Sequence, residues 1–236
     1  MNSDTDRQGG NTGIPALPFA VLFIVALTVL GMAVRYGLYG HLSLAYCVFA
    51  AFFSANLLIC LWEVSLYLAH DRIEQRAEHW RNLHRETGVS PAMAFLRSKV
   101  PPGKILSPAF WIDVWASYSH YDDAYRDRGS FGFNVDIANG FTSWIPTLIL
   151  YAAYTVNFLP AVAAGIIGVM LFWVWVYNTT LYWISFRVAG RHRSISPFDM
   201  WVYVFSLNFV WIAIPMFGVY VSVRLILDGN YQVLGF

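Results

Sequence analysis

The chain has 236 residues, of which 58% are hydrophobic and only 12% are charged, and its formal net charge is +1. Soluble domains carry roughly 25% charged residues, so this composition excludes an ordinary soluble protein and indicates a polytopic membrane protein with one domain. The near-neutral charge, with basic clusters only beside apolar runs, excludes nucleic-acid binding. The sequence has no metal-ligand spacing and no cofactor motif, so we predict neither a metal nor a cofactor.

The first part of the chain predicts a tail followed by two membrane spans. Residues 1–14 are polar and rich in glycine, which predicts a disordered tail. Residues 15–36 and 42–69 are apolar runs long enough to cross a hydrocarbon core of about 30 Å. In the second span, helical spacing places four residues on one face: Asn56, Cys60, Glu63 and Tyr67. We interpret the first two as helix-packing residues and Glu63, which is ionisable, as a functional residue.

A long polar segment, residues 70–130, separates the second span from the third. It includes DRIEQRAEHWRNLHRE, whose alternating acids and arginines predict a surface helix. Residues 105–125 predict an amphipathic helix along the membrane interface, where Trp and Tyr are enriched. The aromatic residues of this helix are Trp111, Trp115, Tyr118, Tyr121 and Tyr125.

Three more spans are predicted, at residues 131–154, 161–186 and 198–227, followed by a C-terminal tail at 229–236. Pro146 predicts a kink in the third span. Residues 15–228 are therefore predicted to form an all-α, polytopic transmembrane bundle of about five helices with an internal cavity. Most lysines and arginines fall on the amino-terminal side of the spans, which the positive-inside rule makes cytoplasmic.

Two acids within the spans indicate a functional site. An ionised group inside a bilayer costs at least ~2.5 kcal/mol, so Glu63 and Asp136 are predicted to face a shared cavity as catalytic residues. Two carboxylates in a low-dielectric cavity do not both ionise easily, which provides an acid and a base together. Aromatic rings nearby suit a cation, with a stabilisation of ~2 kcal/mol or more when desolvated. The combination favours proton addition to and removal from an apolar polycyclic substrate.

Further polar and aromatic residues are predicted to line this cavity and to bind the substrate. The third span contributes Asn139 beside Asp136. Asn178 of the fourth span joins the polar constellation. The predicted substrate-binding residues are Asn139, Trp173, Tyr177, Thr180, Trp183, Asn208, Trp211, Tyr118 and Asp122. For Tyr118 and Asp122, a cavity lid and ordinary anchoring at the membrane interface remain alternatives.

Three short motifs carry a family resemblance. They are Trp115-x-x-Tyr118-x-x-x-Asp122-x-x-Tyr125 followed by the acid Asp136, then Tyr177-x-x-x-Leu181-Tyr182, and Asn208-x-x-Trp211-x-x-x-Pro215. With these motifs the sequence resembles the emopamil-binding protein family, which shares the EXPERA domain with the sigma-2 receptor. The similarity covers roughly residues 111–225 well and the first two spans loosely.

The resemblance implies a five-span bundle around a sterol-sized cavity, as in the sterol Δ8–Δ7 isomerases. By this resemblance Glu63 and Asp136 correspond to the two acids, and Asn208 with Trp211 to the polar and aromatic floor. The chain departs from the family at three positions. Ile59 stands where the isomerases have a histidine, Asn139 where they have a threonine, and Thr179 where an acid is usual.

Several functions remain open at this point. The leading hypothesis is an isomerase-like enzyme acting on a sterol or other polycyclic isoprenoid. A non-catalytic protein that binds sterols or cationic amphiphiles, or traffics lipids, is the main alternative. A further alternative is a membrane-bound terpene cyclase, which the Trp62-Glu63 pair suggests. Another is a scaffold whose polar residues hold helices together. The expected partners are a lipid ligand and the bilayer. The sequence is also compatible with a homodimer. The expected location is the endoplasmic reticulum membrane in a eukaryote or the plasma (inner) membrane in a bacterium.

Overall fold

The computed structural model describes residues 13–236. The predicted disordered tail lies outside the described residues, except for Gly13 and Ile14. Ile14–Pro15 forms strand β1, which pairs antiparallel with strand β2, Lys99–Val100. This short pairing connects the start of the first span to the polar segment.

The described residues form an almost entirely helical structure. Its helices are α1 (Ala16–Tyr39), α2 (Leu44–Leu68), α3 (Ile73–Thr87), α4 (Pro91–Arg97), α5 (Pro108–Tyr118), α6 (Phe131–Thr142), α7 (Trp144–Val156), α8 (Ala161–Val188), α9 (Pro197–Asp199) and α10 (Leu207–Asp228). A π-helical segment, Met200–Ser206, joins the last two into one apolar helix. Short 3-10 turns occur at His70–Arg72, Pro102–Lys104, Asp123–Arg126, Arg191–Arg193 and Gln232–Leu234.

Four helices are long and apolar enough to cross a membrane. They are Ala16–Tyr39, Leu44–Leu68, Ala161–Val188 and Pro197–Asp228. The prediction of an all-α polytopic membrane bundle is therefore confirmed. The predicted third span consists of two shorter helices, α6 and α7, which are interrupted at Ser143. Pro146 has no N–H to donate to the carbonyl of Thr142, which explains an interruption at this point.

Small residues bring α8 and α10 into close contact. A Cβ atom on Gly165 would lie 2.7 Å from the Ser222 carbonyl oxygen, and one on Gly218 would lie 2.5 Å from the Phe172 ring. Gly168 likewise faces the side chain of Ser222. Glycines at such positions let two helix backbones approach closely, as is common between membrane helices. The face of α8 that carries these glycines is therefore the face turned toward α10.

The aromatic segment predicted to lie at the membrane interface packs inside the protein, and this corrects the sequence-based prediction. Trp111, Trp115, Tyr121 and Tyr125 are all buried. The indole nitrogen of Trp111 donates to the Ile105 carbonyl at 2.7 Å. That of Trp115 donates at 2.7 Å to the carbonyl of a residue in α2. Because these polar ring atoms find partners within the protein, the rings can be removed from the interface, and α5 becomes a wall of the bundle.

The C-terminal residues, predicted only as a tail, dock against the opposite end of the bundle. Arg35 of α1 is fully buried. Its Nη1 donates to the Tyr154 carbonyl and its Nη2 to the Leu234 carbonyl, both at 2.6 Å. The guanidinium also lies 3.8 Å from the centroid of the Phe236 ring. A cation in this position is neutralised in part by carbonyl dipoles and aromatic faces, and it fixes the last turn of the chain.

The π-helical segment releases backbone carbonyls for side chains of other elements. The Tyr203 carbonyl accepts a hydrogen bond from the Tyr118 hydroxyl at 2.9 Å. The Val204 carbonyl accepts from Trp183 Nε1 at 3.1 Å and from Asn208 Nδ2 at 2.9 Å. Single π turns within helices are frequent at functional sites, and here the segment connects α5, α8 and α10 at one end of a cavity.

Candidate functional site

A cavity of about 350 Å³ lies between α2, α5, α6, α8 and α10. This volume is within the range of small-molecule sites. The residues that line it are Ile59, Trp62, Glu63, Val114, Trp115, Tyr118, Tyr125, Val135, Asp136, Asn139, Trp175, Asn178, Thr179, Tyr182, Leu207, Asn208 and Trp211. Both predicted catalytic acids are in this set. The wall is mainly aromatic and aliphatic, with a few polar groups at defined places.

Glu63 is held by a short chain of hydrogen bonds. It is 4% exposed, and its Oε2 accepts from Asn139 Nδ2 at 2.6 Å. Asn139 Oδ1 in turn accepts from Trp175 Nε1 at 2.8 Å. An indole N–H can only donate, so it fixes the orientation of the amide and directs the amide N–H toward the carboxyl group. Trp175 thereby positions Glu63 through Asn139, across three helices.

Asp136 lies one helical turn before Asn139 on α6 and lines the same cavity. Tyr125 lines this cavity as well. No salt bridge to Asp136 occurs within residues 13–236. A carboxyl group that shares an apolar cavity with Glu63, and is not held by a cation within the described residues, is suited to gain and lose a proton.

Gly140 sets the spacing between α6 and α2 at the site. A Cβ atom at this position would lie 2.7 Å from Glu63 Cβ and 2.9 Å from the backbone nitrogen of Val64. Glycine is therefore needed for α6 to approach α2 closely enough for the 2.6 Å bond between Asn139 and Glu63.

Asp122 lies behind the cavity wall, and the prediction that it lines the substrate site is corrected. Its Oδ2 accepts from the Tyr182 hydroxyl at 2.8 Å, and its Oδ1 lies 3.3 Å from Arg191 Nε. Burial raises the pKa of Asp122, and the Ala124 amide and Arg191 oppose this. Because Tyr182 does line the cavity, Asp122 holds a wall residue in place from behind.

Tyr118 is located on the cavity wall, as the lid interpretation expects. Its hydroxyl donates to the Tyr203 carbonyl and connects α5 to the π-helical segment. The ring of Tyr121 stacks on Tyr203 with centroids 3.8 Å apart. These contacts join α5 to the start of the last span beside the cavity.

Four predicted substrate-binding residues of α8 lie away from the cavity. Trp173 and Tyr177 are 54% and 52% exposed on the outer face of the helix. Thr180 is also exposed, and its hydroxyl donates to the Val176 carbonyl of its own helix. Trp183 packs on Phe205 between α8 and the π-helical segment. Both faces of α8 are apolar and aromatic, so composition does not show which one is turned inward.

Asn178, which was predicted to join the polar constellation, lines the cavity. The cavity residues of α8 that were not predicted are Trp175, Thr179 and Tyr182. A signal for this face exists in the sequence. Gly165, Gly168, Phe172 and Trp175 follow one another at steps of three and four residues. If the face with small residues is taken as the face packed in the bundle, Trp175 is predicted to point inward and Trp173 outward.

His70, which follows α2, supports the cavity from the polar side. Arg128 Nε donates to His70 Nδ1 at 3.1 Å, so Nδ1 carries no proton and His70 is neutral. Its Nε2–H then donates to the Tyr125 carbonyl at 3.2 Å. Burial lowers the pKa of His70 from its ordinary value of 6.5, and Arg128 lowers it further.

This arrangement predicts a loss of stability in mild acid. The folded pKa of His70 is below the unfolded one, so its contribution is complete above pH 6.5 and decreases as the pH falls below that value. Unfolding in detergent, measured between pH 7.5 and 5.5, should show this decrease. His70→Gln should flatten the slope by up to about 1.4 kcal/mol per pH unit, the value for one proton. The remaining slope belongs to groups such as His79 and His120, whose pKa is also lowered by burial. An unchanged slope in the variant would contradict the assignment.

No protein-family model matches the chain, and no curated protein sequence matches it. The resemblance to the emopamil-binding protein family therefore stays a prediction from short motifs. The cavity brings together two acids, an amide held in one orientation and an aromatic wall.

Proposed function

We propose that the protein is an integral membrane isomerase that moves a proton on and off a ring double bond of a sterol or other polycyclic isoprenoid. The observation that carries this proposal is that Glu63 and Asp136 line one aromatic-walled cavity. An acid and a base on the same apolar site are what an olefin shift requires.

The reaction can be written with these groups. The protonated carboxylic acid gives its proton to one carbon of the double bond, and a carbocation forms at the other carbon. The rings of Trp175 and Trp211, whose centroids lie 5.9 Å apart, stabilise the cation. The second carboxylate removes a proton from a neighbouring carbon, and the electron pair of that C–H bond forms the new double bond. Atoms and electrons balance without a cofactor.

The surroundings of the acids support an apolar substrate. Ile59, Trp62, Val114 and Leu207 provide aliphatic and aromatic wall on the side of α2, α5 and α10. Such a substrate dissolves in the bilayer in which the helices lie. We accordingly place the enzyme in the endoplasmic reticulum membrane of a eukaryotic cell or the plasma membrane of a bacterium.

Isotope exchange tests the proposal directly. Purified protein in lipid nanodiscs is incubated in deuterated water with a panel of sterol and isoprenoid olefins. We expect deuterium at a ring carbon of at least one substrate, together with a shifted double bond. A panel that binds but incorporates no deuterium would reject catalysis by this route.

A second candidate function is binding without turnover, and Ile59 favours it. This residue lies on the cavity wall one helical turn before Glu63, where the family that the chain resembles has a histidine. An isoleucine cannot carry a proton between the two acids. Two carboxyl groups beside aromatic faces would also bind a cationic amphiphile. Tight amine binding without any isotope exchange would favour this function over the enzyme.

A further inference from the structure

Asn178 and Thr179 are polar residues of α8 that line the cavity without a hydrogen-bonding partner in residues 13–236. Thr180, the next residue, behaves differently, since it is exposed and its hydroxyl bonds to its own helix. Polar groups at membrane depth are costly unless they are paired. Two neighbouring residues directed into an apolar cavity with free hydrogen-bonding capacity therefore indicate a place for a polar group of the ligand.

Contacts between α6 and α8 show the level of Asn178 in the cavity. Gly132 meets the Tyr182 ring at one end, and Asn139 bonds to Trp175 at the other. The two helices run antiparallel between these contacts, and the intermediate residues are Asp136 and Asn178, each four positions from the first contact. Asn178 thus lies at the level of Asp136, one turn away from Glu63.

Contacts between α8 and α10 show the level of Thr179 in the same way. Trp183 Nε1 bonds to the Val204 carbonyl, and the Trp175 and Trp211 rings contact each other. Thr179 lies four residues before Trp183, and Asn208 lies four residues after Val204. Thr179 and Asn208 are therefore opposite each other. With Asn178 they form a polar belt on the α8–α10 side of the cavity, which we call the amide belt.

We propose that the amide belt, Asn178, Thr179 and Asn208, binds a hydroxyl group of the isoprenoid ligand and so orients its rings toward Glu63 and Asp136. This inference rests on the proposed function for the class of ligand. The belt contains no charged group, so it suits a neutral oxygen rather than an ammonium. Asn208 Nδ2 already donates to the Val204 carbonyl, which leaves its Oδ1 to accept a hydrogen bond from a hydroxyl.

The preference for an alcohol follows from the polar groups that an analogue without the hydroxyl would leave unpaired. It would bury amide and hydroxyl groups against hydrocarbon with no partner, which is costlier than the hydrogen bond is favourable. We therefore expect a steroid alcohol to bind about tenfold or more tightly than its deoxy analogue, and this ratio is the signature of the belt.

The test uses competition in lipid nanodiscs. The bound probe is a fluorescent polyene 3β-hydroxysterol, detected by energy transfer from the cavity tryptophans, and the competitors are cholestan-3β-ol and cholestane. In Thr179→Val and Asn178→Leu, the alcohol should lose its advantage while the affinity for cholestane stays within about twofold. Comparing one steroid pair in the same nanodiscs removes differences in membrane partitioning.

Two variants act as controls. Thr180→Val removes a hydroxyl next to the belt but outside the cavity and should keep the full preference. Thr179→Ser keeps the hydroxyl and should therefore also keep the preference for the alcohol. This variant separates the loss of a hydrogen bond from damage to the fold. A preference that survives both Thr179→Val and Asn178→Leu overturns the belt. Equal binding of the two steroids to the unaltered protein overturns only the belt, whereas no steroid binding overturns the proposed function as well.

Discussion

Asp136→Asn should lower the rate of deuterium incorporation by at least about 100-fold, the usual contribution of a general acid or base. The substitution keeps the shape of the side chain. Because no ion pair to Asp136 exists within residues 13–236, the bundle should fold and bind steroid within about threefold of the original affinity. Single-turnover exchange and equilibrium binding measured on the same preparation separate chemistry from binding.

Two comparisons sharpen this experiment. Asp71→Asn changes an exposed acid outside the spans in the same way and should leave the exchange rate unaltered. Glu63→Gln should also slow exchange, since its amide can still accept from Asn139 but cannot transfer a proton. If Asp136→Asn exchanged deuterium at the original rate, Asp136 would have no role in proton transfer. The enzyme hypothesis with two acids would then be wrong.

Gly140→Ala should destabilise the protein by about 1–3 kcal/mol, the usual cost of adding a methyl group to a full interface. The new Cβ would lie 2.9 Å from the Val64 backbone nitrogen, and backbone atoms cannot move aside as a flexible side chain can. Separating α6 from α2 should also lengthen the bond between Asn139 and Glu63. The unfolding temperature in detergent and the rate of deuterium exchange should therefore both decrease.

Gly37→Ala is the matched control for this variant. Gly37 lies in α1, and a Cβ atom there would meet nothing within 4 Å. Alanine favours a helix over glycine by roughly 0.8–1.0 kcal/mol in peptide hosts, so this variant should be no less stable than the original. Equal unfolding temperatures for the two variants would show that the contact at Gly140 is looser than the structure indicates.

The elements that the sequence could predict are those with a strong local signal. Four of the long apolar runs are helices long enough to span a membrane, as predicted. Pro146 predicted a kink, and the fifth run is interrupted close to it, at Ser143. Glu63, Asp136, Asn139, Asn208 and Trp211 were predicted and share the cavity. An acid in a hydrocarbon-length run is costly, so its position inside a bundle follows from energetics alone.

The predictions that were wrong concern side chains for which both possible environments, the lipid and the protein interior, are apolar. Trp173 and Trp175 are chemically the same, and only the glycine face of α8, set by contact with α10, turns one outward and the other into the cavity. The predicted interfacial location of the tryptophans of α5 was wrong for a related reason. An interfacial ring and a buried ring look alike in sequence, and the carbonyls that satisfy Trp111 and Trp115 come from elsewhere in the fold.

The π-helical segment Met200–Ser206 holds one more residue than an α-helical path of the same rise would need. Deleting one residue there would restore ordinary helical hydrogen bonding and rotate the preceding turn by about 100° relative to α10. The Tyr203 carbonyl would then no longer be available to Tyr118. Chain length in this stretch and a phenol at position 118 should therefore change together in natural variants of the protein, although the two are 85 positions apart.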